Sequence, residues 1–396
     1  MEAGDVAWVL TASALVLFMT PGLALFYGGM VRSKNVLNML MMNFFTIPVV
    51  TVIWVVIGYS LAFGASAGGL IGGFDKVGLS GLADEELAFA VFQMMFAIIT
   101  PALISGAVAD RMKFAGWVAF SALWALVVYP MTAHWGFAED GWLFSWGARD
   151  FAGGLVIHIN AGIAALALIR VLGPRRGFGS EAMRPHSLPL MLIGTGILWF
   201  GWFGFNAGSA FAADGIAIHA MLTTQIGASL GALGWVSAEW RRLGKPTLLG
   251  AASGAVAGLV AITPAAGFVP PMAAIVIGLI AGVACFQAVS LKDRFGYDDS
   301  LDVVGIHMVG GIVGSLLTGV FASNALNAGV SDGLVYGGAG FFLKQLVGVL
   351  VVLVVGFSLS WVIAKLVDAT IGLRVADRDE LEGLDITQHE ERAYNE

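Results

Sequence analysis

The sequence predicts an all-α polytopic membrane protein of eleven transmembrane helices, two inverted five-helix repeats followed by a long eleventh helix. Three observations predict it. Of 396 residues, 58% are hydrophobic and only 12% charged, about half the charged share of a soluble domain. Apolar stretches of roughly 20 residues, enough to cross a bilayer, recur along almost the whole chain. Two phrases, His158-Ile159-Asn160-Ala161-Gly162-Ile163 and His307-Met308-Val309-Gly310-Gly311-Ile312, repeat one pattern, H-x-x-(A/G)-G-I, inside apolar stretches.

Helix 1 covers 6–30 and follows Met1-Glu2-Ala3-Gly4-Asp5. That start is acidic where a signal peptide needs positive charge, so helix 1 is expected to be retained. Helix 2 (38–63) follows Arg32 and Lys34, and helix 3 (87–109) carries Phe92, Gln93 and Phe96. Helix 4 (115–136) follows Arg111 and Lys113, and helix 5 (151–171) holds the first histidine phrase just after Arg149 and Asp150. A basic connection, Arg170 through Arg184, leads to helix 6 (189–211), then helix 7 (217–239) and helix 8 (247–263) flank Arg241 through Lys245. Helix 9 (271–289) contains the single cysteine, Cys285, which excludes a disulfide or a cysteine metal site within one chain. Helix 10 (302–321) holds the second histidine phrase and starts at Asp302, after Lys292 and Arg294, and helix 11 covers 336–366.

Basic residues crowd every second connection, while the alternate ones hold only Lys76 and Arg149. The positive-inside rule therefore predicts an external N-terminus and a cytoplasmic C-terminus. The chain divides into a transmembrane domain, 1–374, and an acidic tail, 375–396, whose eight acids and two bases contribute −6 of the net −7. The membrane body is close to neutral, and no basic stripe points to nucleic acid. The histidine phrases lie five helices apart. So do Ile99-Thr100-Pro101-Ala102 in helix 3 and Ile262-Thr263-Pro264-Ala265 at the end of helix 8. An offset of five reverses direction in the membrane, the inverted-repeat pattern of transporters. Gly227-x-x-x-Gly231, Gly254-x-x-x-Gly258, Gly278-x-x-x-Gly282 and Gly310-x-x-x-Gly314 fit close helix packing in lipid.

An ionisable side chain within a membrane span is costly and marks a substrate, ion or proton path more often than packing. Burial disfavours an imidazolium, and a neutral imidazole offers one donor and one acceptor. That suits a small uncharged polar molecule better than a naked cation. Trp202, Phe205 and Ser209 form one stripe on helix 6 at i, i+3 and i+7. It presents ring faces and a hydroxyl together, and ring faces attract cations by up to about 2 kcal/mol when desolvated. Asp150 is expected to serve the start of helix 5 and to help draw a cation to the external mouth. Asp302 is expected to serve the start of helix 10 in the same way.

At these residues the chain resembles the Amt/Rh ammonium transporter family, and specifically its Amt branch. The resemblance runs from helix 1 to the tail through Pro21-Gly22-x3-Phe26-Tyr27-Gly28-Gly29, Phe92-Gln93-x2-Phe96-Ala97, Asp150-Phe151-Ala152-Gly153-Gly154-x3-His158-Ile159-Asn160, Trp202-Phe203-Gly204-Phe205-Asn206-Ala207-Gly208-Ser209 and Asp302-Val303-x-Gly305-x-His307. It implies a homotrimer in the bilayer of a bacterial or archaeal cell, with one pore per subunit. Phe96, Trp135 and Ser209 match an external site that recruits ammonium, and Asp150 a carboxylate that supports recruitment and deprotonation. Phe96 and Phe205 match a ring pair closing the pore. His158, His307 and Trp202 match lumen residues, with Phe92, Gln93 and Tyr27 as supporting positions. The Amt branch rests on Trp135 and Ser209. In the tail, Glu382, Gly383, Leu384, Asp385, His389 and Tyr394 match a motif of a family whose cytoplasmic face docks PII signalling proteins. Glu390 stands where a glycine is common, so a different local turn is expected there.

The resemblance implies transport of ammonium or ammonia, with methylammonium as analogue, no enzymatic activity, no cofactor and no metal. Three rivals remain at this point: an ammonium sensor, a channel for another small neutral solute such as carbon dioxide, and a haem-binding membrane enzyme with two axial histidines. Hydropathy also sets a difficulty. From the predicted helix starts, His158 and His307 would lie about 12 Å apart in depth, whereas the resemblance implies that they are adjacent.

Overall fold

The computed structural model describes residues 2–394, apart from the side chain of Asp293; residues 1, 395 and 396, at the outer ends of the two divisions above, lie outside it. The observed spans are helix 1 Ala3–Met30, helix 2 Ser33–Phe63, helix 3 Asp84–Val108, helix 4 Phe114–Phe137, followed by a short helix Trp142–Trp146, and helix 5 Gly154–Leu172. Helix 6 Leu188–Gly208, helix 7 Gly215–Leu243, helix 8 Leu248–Ile262, helix 9 Pro271–Phe295, helix 10 Val304–Phe321 and helix 11 Ala339–Thr370 follow. Ten of these are long and apolar enough to cross a membrane. Helix 8, at 15 residues, spans about 23 Å, and a buried irregular segment through Val269 extends it. A helix satisfies its own backbone in hydrocarbon, which is why apolar length predicts the spans so well.

Polar residues set several ends. Asp214 accepts the N–H groups of Ile216 and Ala217 at the start of helix 7, and Thr247 accepts that of Gly250 at helix 8. One feature departs from the all-α expectation. Between helices 2 and 3, Ser66–Ala67 pairs antiparallel with Ile71–Gly72.

The two halves face each other through their corresponding helices. Helix 1 lies along helix 6, and helix 5 crosses helix 10. At the 5/10 crossing the matched glycines of the two histidine phrases bring the backbones together. A Cβ on Gly162 would sit 2.5 Å from the backbone nitrogen of Met308; one on Gly311 would sit 2.8 Å from Cγ1 of Ile159. Met308 and Ile159 are each the residue after a histidine. Helices 7, 8 and 9 pack through the predicted glycine pairs, with Gly231 against Gly258 and Gly282 against the Gly231 carbonyl.

Helices 5 and 10 begin inside the protein rather than at its surface, and this corrects the depth arithmetic. The segments leading into them are buried at Asp150, Asp298 and Asp299. Each helix opens with a π-turn, Gly154–Ile159 and Val304–Met308, that carries its histidine. Leu172 and Phe321 each lie fourteen residues beyond the histidine, about 21 Å of helix. The two helices start inside the protein from opposite sides, and their first turns meet with the His158 and His307 ring centroids 5.4 Å apart, so both imidazoles lie at one level.

The tail is docked rather than loose. It forms short helices at Asp377–Glu382 and Leu384–His389.

Candidate functional site

On the N-terminal side a vestibule of about 270 Å³ opens between helices 3, 4, 6 and the lead-in to helix 5; its lining includes Gln93, Phe96, Phe137, Phe144, Asp150, Ser209 and Phe211. Its floor is the pair Phe96 and Phe205, with ring centroids 4.3 Å apart and planes tilted 39°. Both rings are buried. Phe92 backs Phe96 at 4.8 Å. The Ser209 hydroxyl donates to the Phe205 carbonyl at 2.9 Å, which leaves its lone pairs free to accept from a cation above the rings. Gln93 also lines the vestibule, and its buried Oε1 has no hydrogen-bond partner.

Against expectation, Trp135 does not line the vestibule. Its Nε1–H donates to the Leu70 carbonyl at 2.7 Å, and its ring meets Trp142 at 5.8 Å, so it clamps the small hairpin onto helix 4. Phe137, two residues on and about 200° round the helix, lines the vestibule instead. Nothing in the sequence separates these two aromatics; only the hairpin's docking decides which face of helix 4 is left for the cavity. His134 shares that clamp, with Nδ1 2.8 Å from the Ala62 carbonyl and Nε2 2.8 Å from the Ser66 hydroxyl.

Asp150 is not an open carboxylate at the mouth. Its oxygens accept four backbone N–H groups, from Gly153 (2.8 Å), Gly154 (2.7 Å), Leu155 (2.7 Å) and Val156 (3.1 Å). These are the orphan donors of a helix start, and they occupy the roughly four lone-pair sites of a carboxylate. Asp150 thus fixes the π-turn that carries His158.

Below the Phe96–Phe205 floor lies a narrow closed lumen lined by Leu23, Phe26, Ile99, Leu198, Val256, Trp202, Phe205, His158 and His307 among others. Its cavity volume is about 10 Å³, room for about one water-sized molecule. The two imidazoles stack with centroids 5.4 Å apart and planes 20° apart, and their Nδ1 atoms meet at 3.3 Å. His158 also lies parallel to Trp202 at 5.4 Å and to Phe205 at 5.9 Å. Trp202 is anchored by Nε1–H donation to Thr263 Oγ1 at 2.9 Å. Thr263 is the threonine of the second Ile-Thr-Pro-Ala phrase, and both it and Thr100 donate to the carbonyl four residues back.

The Nδ1–Nδ1 contact has a chemical consequence. In a neutral pair one Nδ1 must carry the proton and the other the lone pair. The two Nε2 atoms then offer one acceptor and one donor. His158 Nε2 is buried without a partner, an orphaned polar atom in an otherwise apolar cavity. Such a pair fits a small molecule that both donates and accepts. A haem does not fit, because a lumen of this size cannot hold a porphyrin and the stacked rings leave no iron position between them. Among the described residues, no cluster of three or more His, Cys, Asp or Glu could hold a metal.

Tyr27 does not enter the lumen. Its hydroxyl donates to the Leu103 carbonyl at 3.0 Å, and its ring lies against Gly106, while the neighbouring Phe26 lines the cavity. At the start of helix 10 the capping acid is Asp299, not Asp302. Asp299 accepts the N–H groups of Val303 (3.1 Å) and Val304 (2.7 Å), whereas Asp302 adopts φ 64° and pairs with Lys292. A sequence signal existed: Asp299 precedes His307 by the same eight residues as Asp150 precedes His158.

The tail residues close over the connection between helices 1 and 2. Asp385 accepts the Asn38 N–H at 2.9 Å, and the Leu384 N–H donates to Asn35 Oδ1 at 2.8 Å. Burial pushes the Asp385 carboxyl up, with backbone N–H groups of Asn38, Leu37 and Val36 opposing it. Gly383, at φ 118°, sits where a Cβ would press on Lys34. His389 Nε2 lies 3.0 Å from Asn38 Oδ1, and the Tyr394 hydroxyl lies 2.9 Å from His186 Nε2. Glu382 is exposed. Glu390 takes the left-handed conformation, φ 56°, that a glycine would favour.

Residues 7–394 match the model of the Ammonium Transporter Family. The chain is 47% identical to an ammonium transporter of Bacillus subtilis, with the whole of both chains covered. It superposes on Saccharomyces cerevisiae Mep2 with a TM-score of 0.88 at 35% identity, covering 95% of this chain and 91% of that one. A sensor Amt protein gives a TM-score of 0.91 at 29% identity, covering 98% of each.

Proposed function

The chain belongs to the ammonium transporter family, and from that premise we propose that it carries ammonium across a cell membrane by moving ammonia and a proton separately. The observation that carries this reading is the Nδ1–Nδ1 histidine pair at 3.3 Å in a closed apolar lumen directly beneath the Phe96–Phe205 floor. Ammonium loses water against Phe96 and Phe137 and against the Ser209 hydroxyl. Ring faces and hydroxyl replace part of the lost hydration, and the Asp150 carboxylate contributes its field. Moving the intact cation through the lumen would be costly. Deprotonation above the ring pair leaves ammonia, which hydrogen-bonds to both Nε2 atoms as it passes. The released proton travels along the imidazole pair and rejoins ammonia on the far side.

Charge placement supports an external vestibule and a cytoplasmic tail, since Arg32, Lys113, Arg170, Arg241 and Arg294 all lie on the tail side. Assembly as a homotrimer rests on the resemblance to the Amt branch. The docked acidic tail supports a cytoplasmic PII-type partner, and pull-down with and without ADP tests it. No binding in either state removes that partner.

Methylammonium uptake in cells lacking their own transporter tests the transport reading. Wild type should accumulate it; Phe205→Ala, His158→Asp and Ser209→Ala should each change rate or selectivity. Binding without uptake by the wild type would favour a sensor. Currents on solid-supported membranes decide the separate proton path; uptake without current would refute it.

A further inference from the structure

The lead-in to helix 10 carries a buried ionic cluster that the transport reading does not use. Asp299 is 1% exposed, and both of its oxygens accept backbone N–H groups at the start of the π-turn holding His307. The loop is fixed to helix 3 on one side, where the Ser300 N–H donates to the Ala107 carbonyl. On the other side Arg175 grips the neighbouring Asp298 with Nη2 at 2.7 Å, and Arg111 donates to the Asp298 carbonyl. Lys292, from helix 9, donates to Asp302 and, at 3.1 Å, to the backbone carbonyl of Asp299. The charged and titratable groups around Asp299 are thus Asp302, Lys292, Arg175, Asp298, Tyr297 and Tyr27.

We propose that Asp299 is a positioning residue for His307, and that the Asp302–Lys292 pair sets the acidity at which it releases the start of helix 10. The proposal rests on the reading that His307 lines the transport path. A carboxylate accepts two N–H donors at a helix start; a protonated carboxyl loses one acceptor oxygen and the favourable interaction with the helix dipole. When the cap is lost, the π-turn relaxes and His307 leaves its 3.3 Å contact with His158. Geometry alone gives the first half. The second follows from the neighbours: burial and Asp302 push the Asp299 carboxyl up to about 6, while Lys292 and the two N–H groups oppose the rise. Release removes the two N–H groups while Asp299 stays buried beside Asp302, so its carboxyl is pushed higher still in the released state, and a tail-side pH falling through about 6 favours release.

Protein reconstituted with its tail side inward, at internal pH between 7.5 and 5, tests this through initial rates of methylammonium uptake. Asp299→Asn should lower the maximal rate about tenfold and leave the half-saturating concentration unchanged, because the vestibule is untouched. In wild type the rate should fall with a midpoint near pH 6. Removing the like charge in Asp302→Asn should move that midpoint down, and removing the cation in Lys292→Gln should move it up. Acid trapping of methylammonium is common to all variants and cancels in the comparison. If Asp299→Asn does not yield folded protein, the two opposite midpoint shifts still decide. A wild-type rate for folded Asp299→Asn, or an unmoved midpoint in both neighbours' variants, overturns the proposal. His307→Ala transporting with wild-type rate and selectivity would instead overturn the pore reading beneath it.

Discussion

Asp150 and Asp299 each stand eight residues before a lumen histidine and each close the start of a helix that begins inside the protein, yet their surroundings differ. Asp150 accepts four N–H groups and borders an aromatic vestibule. Asp299 accepts two and sits among Asp302, Lys292 and the Arg175–Asp298 pair. The tail joins the same face, where Glu380 accepts from Arg374 and from the Arg176 backbone. Both helix starts deliver an imidazole to one level, which accounts for the likeness. The difference lies in what surrounds them: rings and a hydroxyl around a cavity at one end, buried charges at the other.

The largest effects that can break this comparison lie at the crossing. Gly162→Ala should prevent a stable fold, because its Cβ would sit 2.5 Å from the Met308 nitrogen and 2.8 Å from the Met308 Cα, whereas on Gly311 the nearest atom is Ile159 Cγ1 at 2.8 Å and the nearest backbone atom, the Gly154 oxygen, lies at 3.0 Å. Gly311→Ala should cost about 1–3 kcal/mol and leave recoverable protein, read as yield and melting temperature in detergent. Equal behaviour of the two would deny that the crossing is tighter on the Gly162 side. Next come the caps. Asp150→Asn should cost about 2 kcal/mol, and Asp299→Asn about half that; thermal unfolding at pH 7.5 orders them, and a reversed order would contradict the bond counts. At the vestibule, Phe137→Ala should raise the half-saturating methylammonium concentration about 5- to 30-fold, the equivalent of 1–2 kcal/mol. Trp135→Phe should leave it within about twofold while losing one hydrogen bond worth about 1 kcal/mol of stability. The smallest effect concerns the tail turn. Glu390→Gly removes a strained left-handed residue, so amide exchange over 384–390 should slow by a few fold, about 0.5–1 kcal/mol. Faster exchange would mean that the Glu390 side chain supports the turn.

Much of the fold was legible, because apolar length and loop charge act locally. The predicted spans end within six residues of the observed ones, and Gly227, Gly231, Gly258 and Gly282 pack as their spacing predicts. What was not legible depends on tertiary contacts. Hydropathy placed the starts of helices 5 and 10 at the membrane surface, since it cannot see that their lead-ins are buried by other helices. Phe137 was hidden because only the docked hairpin shows that Trp135 faces it. Asp299 was passed over for Asp302, the acid nearer to the hydrophobic run, although the eight-residue spacing from each aspartate to its histidine was present in the chain. The stripe of Trp202, Phe205 and Ser209 survived intact, because a straight helix preserves its faces.

The internal starts of helices 5 and 10 carry one more consequence, which is electrostatic. A helix N-terminus bears about half a positive charge, and here two of them converge on the level of the imidazoles. Uncapped, they would add roughly one elementary positive charge beside the lumen histidines. Asp150 and Asp299 place a carboxylate on each end, so the field along the lumen is set by the balance of two dipoles and two acids. Neither acid touches the lumen centre, yet together they determine how strongly any charge is repelled there.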